Sequence, residues 1–369
     1  MVKCKQKRRV GSMSKNLGKR LERARKASGF GLRKLAELVG LSHMAISKYE
    51  KGSLTPSSDV LLKLAKALEV SVEFFFRPET VKLGEIKFRK RQRLRKKVEE
   101  SIKAQIADQI ERRLELENLY PNPPIQLFKI PDSLSDRIDE YDQIEDIANK
   151  IRNLWKLGRA PIQDLIDVLE SHGIRVFIVD YEEKMFDGLS TLINDQPIVV
   201  ISSKWPGDRQ RFTLAHELGH FILQNRLSKE LNEEKACNRF AGAFLLPKET
   251  IIQEMGKIRT SIEWRELFLL KEEFKLSMYS ICYRLKDVGI LKESYFNSLV
   301  FIFNQKGWNK QEPGNKTPSE KTHIFKQMVF HALGEEYIGE SKAAELLDYS
   351  IEAFRNFRLM DETRHAAAR

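Results

Sequence analysis

Five residues, His216-Glu217-Leu218-Gly219-His220, lie inside the apolar run from Phe212 to Leu223 and read H-E-x-x-H. If the run is helical, the two imidazoles stand four residues apart on one face. They can then close on one Zn2+, with Glu217 beside it to take a proton from bound water. Histidine is scarce, seven in 369 residues, so the pair with its Glu is read as a metal site rather than as two satisfied core imidazoles. One more protein ligand is needed. The next helical stretch, Leu231 to Leu246, has Glu230, Glu233, Glu234 and Glu249 in or near it, with Cys237 as a soft alternative.

The elements that must position this cluster begin near residue 141. Helices are expected over Ile144–Leu157 and Pro161–His172. After Gly173, the β-branched runs 174–179 and 197–201 read as buried strands, with 188–193 as a third. A small sheet thus precedes the His216 helix.

The N-terminal quarter differs in kind. Residues 1–100 carry 27 Lys and Arg against 10 Asp and Glu, whereas the rest carry 37 against 42. The basic excess is therefore N-terminal and points to a polyanion partner there. Residues 1–15 read as a basic flexible arm. From Asn16 five short helices follow: Leu17, Leu21 and Ala24 mark the first, Leu32–Val39 the second, His43–Glu50 the third behind the N-cap Ser42. The fourth opens at Pro56-Ser57-Ser58 and the last follows Ser71. The tight Val39-Gly40-Leu41-Ser42 turn suits a helix-turn-helix domain.

Between these units, residues 79–140 form a charged linker. It holds a basic run at 87–93 and an expected connector helix, Leu94–Leu119, for packing on the metal-site domain or on a second subunit. Pro121, Pro123, Pro124 and Pro131 then break the chain. The tail, 293–369, reads as a strand over 296–303, a polar loop over 307–318, and helices over 321–347 and 351–359. No repeat appears at a fixed period.

Bulk properties set limits. The length calls for two or three domains. No run of 18 apolar residues suggests a membrane span and no apolar leader is visible. Three scattered cysteines, Cys4, Cys237 and Cys282, argue against a disulfide framework and for a cytoplasmic setting.

Two stretches resemble known families. Leu35-Ala36-Glu37-Leu38-Val39-Gly40-Leu41-Ser42, Ile46-Ser47-Lys48-Tyr49-Glu50-Lys51-Gly52 and Pro56 resemble the Xre (Cro/C1-type) helix-turn-helix family. That resemblance implies double-stranded operator DNA as partner, with His43, Met44, Ser47 and Lys48 facing bases. The start of the third helix at Ser42, with Arg33 and Lys34, would face phosphates. Arg25 and Glu50 match a family ion pair that joins the first helix to the third. Leu32 stands where the family often has a phosphate-binding Gln.

Arg211 to His220, Glu234 to Ala241 and Phe244-Leu245-Leu246-Pro247, together with flanking segments over 143–292, resemble the ImmA/IrrE family of zinc-metallopeptidase-like proteins. The resemblance implies His216, His220 and Glu234 as ligands of one Zn2+ per chain, Glu217 as the catalytic base, and Asn238 as a residue orienting Glu234. Glu233 is the fallback ligand. His172 is assigned a structural role. Ser341 to Leu347 resembles a segment often appended to this family.

The expected architecture is mainly α: an all-α helix-turn-helix domain at 16–78 and an α+β zincin-like domain at 141–292, with an accessory region at 293–369. The expected function is a DNA-binding regulator fused to a zinc peptidase that cleaves a repressor or antitoxin-type protein, or itself, on a signal. A homodimer is the expected form on DNA. The alternative is a regulator or antitoxin whose zinc domain senses or binds proteins with little or no peptidase activity.

Overall fold

The computed structural model describes residues 2–78, 80–81, 95–122, 126–180, 186, 188–193 and 196–360, with side chains from Lys15 onward. The basic run 87–93, Pro123, Pro124, Leu94 and Asp187 lie outside the described residues. In chain order the helices are α1 (Val2–Ala27), α2 (Leu32–Val39), α3 (His43–Glu50), α4 (Ser58–Leu68), a 3₁₀ turn (Val72–Phe76), α5 (Lys96–Leu119), α6 (Asp142–Leu154) and α7 (Leu165–Ser171). Strands β1 (Arg175–Val179), β2 (Gly188–Ile193) and β3 (Gln196–Ser202) follow. Then come α8 (Gly207–Ile222), α9 (Glu233–Leu245), α10 (Lys248–Met255), α11 (Trp264–Phe274), α12 (Met278–Asp287), α13 (Glu293–Gln305), α14 (Ile324–Gly334), α15 (Glu340–Leu347) and α16 (Ile351–Arg358).

Two compact units result. The first joins Met1–Pro124 to His323–Arg369, and the second is Ile125–Thr322. The tail is thus divided. Its part up to residue 322 belongs with the metal-site domain, whereas α14–α16 belong with the N-terminal helices.

In the first unit, Leu17, Leu21, Leu35, Ile46, Leu64 and Phe75 are buried in one core. Removing such apolar area from water is the main favourable term for this small domain. The turn between α2 and α3 is built as its residues demand: Gly40 closes α2 in the left-handed region (φ 68°), and the Ser42 hydroxyl accepts the Ala45 N–H at 3.1 Å.

Four expectations are corrected. The first helix runs back to Val2, where a flexible arm was expected; residues 2–10 contain neither Pro nor Gly. The connector helix, expected to pack on the metal-site domain or on a second subunit, packs on α1 within the first unit. Buried charge holds it there. The Glu111 carboxylate lies 2.7 Å from both Arg20 and Arg23 of α1, and its other oxygen accepts the N–H groups of Thr80 and Val81 at 2.9 Å. Residues 293–305 form a helix, not a strand, because Phe296, Leu299 and Phe303 fall on one helical face and are buried. The helix expected over 321–347 is two, broken between Gly334 and Gly339.

In the second unit the sheet order is β1-β3-β2, with β1 parallel and β2 antiparallel to β3. The central strand β3 has Ile198, Val199, Val200 and Ile201 fully buried, as a strand covered on both faces requires. Its core continues through Leu214, Leu218 and Phe221 of α8 and Phe240 and Phe244 of α9. The segment after α13 is tied to α8: the Gly207 N–H donates to the Thr317 carbonyl at 3.0 Å, and Arg211 meets Glu320 at 2.6 Å. Among the described residues no helix is long and apolar enough to cross a membrane.

Candidate metal centre and nucleic-acid interface

Helices α8 and α9 carry the H-E-x-x-H residues and the acidic pair. Their close approach depends on Gly219, where a Cβ would stand 3.2 Å from Phe240 Cδ1 and 3.3 Å from Cys237 Cα. Asn232 starts α9 by accepting the Lys235 N–H at 3.0 Å, which fixes where Glu233 and Glu234 leave the helix.

The ring nitrogens are oriented from behind. Nδ1 of His216 lies 2.8 Å from Asn238 Oδ1, and Nδ1 of His220 lies 2.8 Å from Glu233 Oε1. Both partners are acceptors, so each Nδ1 carries the proton and each Nε2 presents a lone pair. The two Nε2 atoms are 3.0 Å apart. Glu234 completes the group, with Oε2 3.3 Å from His216 Nε2 and Oε1 4.0 Å from His220 Nε2. One ligand atom from each of the three residues lies within 4.8 Å of the others.

The donor set fits zinc. Tetrahedral coordination at about 2.0–2.1 Å places neighbouring ligand atoms about 3.3 Å apart. Two lone-pair nitrogens 3.0 Å apart repel unless a cation lies between them, and the Glu234 carboxylate stands 3.3 and 4.0 Å from them. His220 is fully buried and Glu217 nearly so.

The other assigned residues fall as follows. Asn238 makes its contact with His216 rather than the expected one with Glu234. Glu233 sits behind His220, not among the three grouped ligands. Cys237 is buried with Sγ 3.2 Å from His220 Nδ1, on the side of the ring away from Nε2. His172 stacks on Trp155 with centroids 4.1 Å apart, and its Nδ1 lies 2.8 Å from the Val168 carbonyl, a structural placement. The contact of Glu233 with His220 Nδ1 was not read from the sequence. The signal that could have found it is its place in the first turn of α9, one residue before Glu234.

In the first unit Arg33, Lys34, Ser42, His43, Met44 and Lys48 are exposed, and Ser47 is half-buried. They gather at the start of α2 and on the outer face of α3. The backbone of α3 is braced from inside by Arg25, which forks onto both oxygens of Glu50.

This fold and these side chains define a helix-turn-helix module on the same chain as a zincin-like domain. Comparison with known proteins agrees: residues 21–75 match the family described as helix-turn-helix, and residues 169–286 match the IrrE N-terminal-like domain. The chain therefore joins a helix-turn-helix domain to an IrrE N-terminal-like domain.

Curated relatives match the N-terminal part. HTH-type transcriptional regulator PuuR of Escherichia coli is 44% identical over 63 residues, 17% of this chain and 34% of that protein. HTH-type transcriptional regulator ImmR of Bacillus subtilis is 33% identical over 66 residues, 18% of this chain and 52% of that protein. The chain thus spans only a third to a half of the length of these relatives. A solved structure described as a Mycobacterium tuberculosis transcriptional regulator aligns over 39% of this chain and 49% of its own, at 20% identity and a TM-score of 0.28.

Proposed function

We propose that this protein is a DNA-binding transcriptional regulator whose second unit is a zinc-dependent peptidase acting on a repressor or antitoxin-type protein. One observation carries the enzymatic reading: ligand atoms of His216, His220 and Glu234 lie within 4.8 Å of one another while Asn238 and Glu233 contact the Nδ1 side of the two rings.

His216, His220 and Glu234 would hold the ion. A zinc ion there supplies a Lewis acid that polarises a peptide carbonyl and makes water acidic near neutral pH. Glu217, the next residue after His216 on α8, takes the proton of the attacking water on its carboxylate. It then returns that proton to the leaving amide nitrogen, so one side chain serves as base and acid in turn. The near-complete burial of Glu217 keeps competing solvent from its carboxylate.

On DNA, α3 would enter the major groove with His43, Met44, Ser47 and Lys48 towards the bases. Arg33, Lys34 and the N–H groups after Ser42 would meet phosphates. Met44 offers apolar contact and no hydrogen bond, so it can sense a thymine methyl but not a donor–acceptor pattern. Operator recognition by a homodimer in the cytoplasm completes the proposal.

The test is direct. Zinc is quantified in protein purified without chelator. Repressor-type substrates are then incubated with the wild type and with Glu217→Ala. Cleavage by the wild type alone supports the peptidase; equal loss with both, or none with either, overturns it. For DNA, the salt slope of operator affinity is compared with that of Lys48→Ala, and an unchanged affinity and specificity would remove α3 from the groove.

A further inference from the structure

We propose that Glu233 is a positioning residue for the metal centre, resting on the zinc reading above. It follows Asn232, the N-cap of α9, and precedes Glu234, the proposed ligand. Adjacent helical residues point about 100° apart, so the two carboxylates address different faces of His220. Glu234 approaches Nε2 at 4.0 Å, whereas Glu233 accepts from Nδ1 at 2.8 Å. A carboxylate on the Nδ1 proton fixes the tautomer, sets the ring plane and makes Nε2 a stronger donor.

The two histidines are held unequally. His216 has the neutral carboxamide of Asn238 behind it; His220, fully buried, has an anion. The Cys237 thiol also faces His220 Nδ1, at 3.2 Å, but sulfur is a weak acceptor and cannot replace the carboxylate.

The experiment measures zinc affinity of the full chain by chelator competition, and the visible spectrum of the cobalt-loaded protein. Glu233→Ala is expected to weaken zinc about 10- to 100-fold and to shift the cobalt bands. Glu233→Gln, which keeps an acceptor oxygen, recovers part of the loss. Glu234→Ala loses more than either. Wild-type affinity and spectrum in Glu233→Ala overturn the positioning role and leave the zinc reading standing. Retention of zinc by Glu234→Ala with its loss in Glu233→Ala makes Glu233 a ligand and overturns the role as well. A wild type that takes up no zinc overturns both.

A separate observation supports a second inference. The backbone of α15–α16 repeats that of α2–α3. Each pair is eight residues, a left-handed C-cap (Gly40, φ 68°; Asp348, φ 61°), a Ser N-cap accepting the third N–H at 3.1 Å, and eight residues more. Ala36-Glu37-Leu38 recurs as Ala344-Glu345-Leu346, Ser42 as Ser350 and Ala45 as Ala353. Ile46 and its counterpart Phe354 are both fully buried.

The charges diverge. Residues 32–50 carry three basic and two acidic side chains; residues 340–358 carry three and four. Lys34 is exposed and pairs with Glu37 of its own helix at 3.4 Å, but its counterpart Lys342 lies 2.5 Å from Glu115 of α5, and Glu345 lies 2.6 Å from Arg77. In α15 the lysine and the glutamate are both engaged by α5 and Arg77, whereas in α2 the equivalent Lys34 and Glu37 stay more than half exposed. We infer that residues 340–358 are a second helix-turn-helix turned from DNA to bracing α5 and Arg77 within the first unit.

Glu345→Ala in the full chain is expected to lower the unfolding midpoint of that unit by about 2–4 °C and to leave the salt slope of DNA binding unchanged. The double variant Arg355→Ala/Arg358→Ala is likewise expected to leave the slope unchanged, while Lys34→Ala reduces it by about one. An unchanged midpoint in Glu345→Ala, or a reduced slope in the double variant, overturns the inference.

Discussion

The guanidinium of Arg25 grips both carboxylate oxygens of Glu50, at 2.6 and 2.9 Å, and its remaining nitrogen donates to the Phe30 carbonyl at 2.9 Å. Both side chains are about nine-tenths buried, so the pair ties the end of α1 to the end of α3 from the interior. A lone Glu50 left in that site would be an uncompensated buried charge. Arg25→Ala is therefore expected to destabilise the helix-turn-helix fold by roughly 3 kcal/mol. Arg25→Lys, which cannot fork, should recover less than half of that. Denaturant unfolding of the variants checks both values.

Gly219 sets the spacing of α8 and α9, the helices that carry the candidate metal ligands. Replacing it with Ala favours helix by about 1 kcal/mol. The added methyl, however, meets the backbone Cα of Cys237 at 3.3 Å, and backbone cannot move aside as a flexible side chain can. Overpacking of this kind costs about 1–3 kcal/mol, so the net expectation is a loss of about 1 kcal/mol. Because Cys237 lies between Glu234 and Asn238 on α9, the same shift should separate the ligands. Lower stability together with weaker zinc binding is the expected pair of results; a stabilised variant with unchanged zinc affinity would show that α8 and α9 can part freely.

What could be read from sequence and what could not differ in physical kind. The α2–α3 turn was legible because Gly40 and Ser42 are local signals that act within four residues. The His216–His220 phase was legible because four residues make one helical turn. Glu233 and Glu234 were told apart only by the family resemblance, since the faces they address depend on how α9 is rotated against α8. Phe296 to Phe303 invited a strand because aromatic residues favour sheets, yet burial at positions 296, 299 and 303 made it helical. The seat of α5 was hidden because Arg20, Arg23 and Glu111 are charged residues, which composition assigns to the surface. The likeness of α15–α16 to α2–α3 lies in caps and burial more than in identity.

Acid sensitivity should centre on Glu145 in the second unit. Burial alone would push its carboxyl up. The hydrogen bonds and charge of Arg284, then of Arg239, outweigh it and hold the group below its ordinary value of 4.5. Arg284 lies 2.5–2.6 Å away and Arg239 2.6 Å. A carboxylate with a depressed folded-state pKa contributes stability that is fully present above the unfolded value and lost as pH falls through the folded one. Asp287 works the other way: burial raises its pKa, with Arg239 partly offsetting it, so its contribution is present at low pH and lost as pH rises. Glu145→Gln should cost roughly 3 kcal/mol at neutral pH and flatten the fall in stability below the ordinary carboxylate value. Unfolding midpoints measured from about pH 3 to 7 check it; an unchanged acid limb would place the sensitivity elsewhere.

Arg152 is a buried cation held by carbonyls. Its Nε donates to Gly158 at 2.8 Å, and its terminal nitrogens donate to Phe244 at 2.6 Å and Ala160 at 2.7 Å. Burial lowers its pKa to about 10, which still leaves it charged at neutral pH. The side chain thus joins the end of α6 to the loop after it and to the end of α9, the helix that carries Glu234. A lysine offers one ammonium and cannot span three carbonyls set around a planar fork. Arg152→Lys is expected to cost about 2–4 kcal/mol, with two backbone acceptors left unpaired at about 1–3 kcal/mol each and only partly rehydrated. Arg152→Met, which strands all three, should cost more. Equilibrium unfolding of the two variants ranks them, and a lysine variant as stable as wild type would mean that a single hydrogen bond, and not the fork, holds α9 in place.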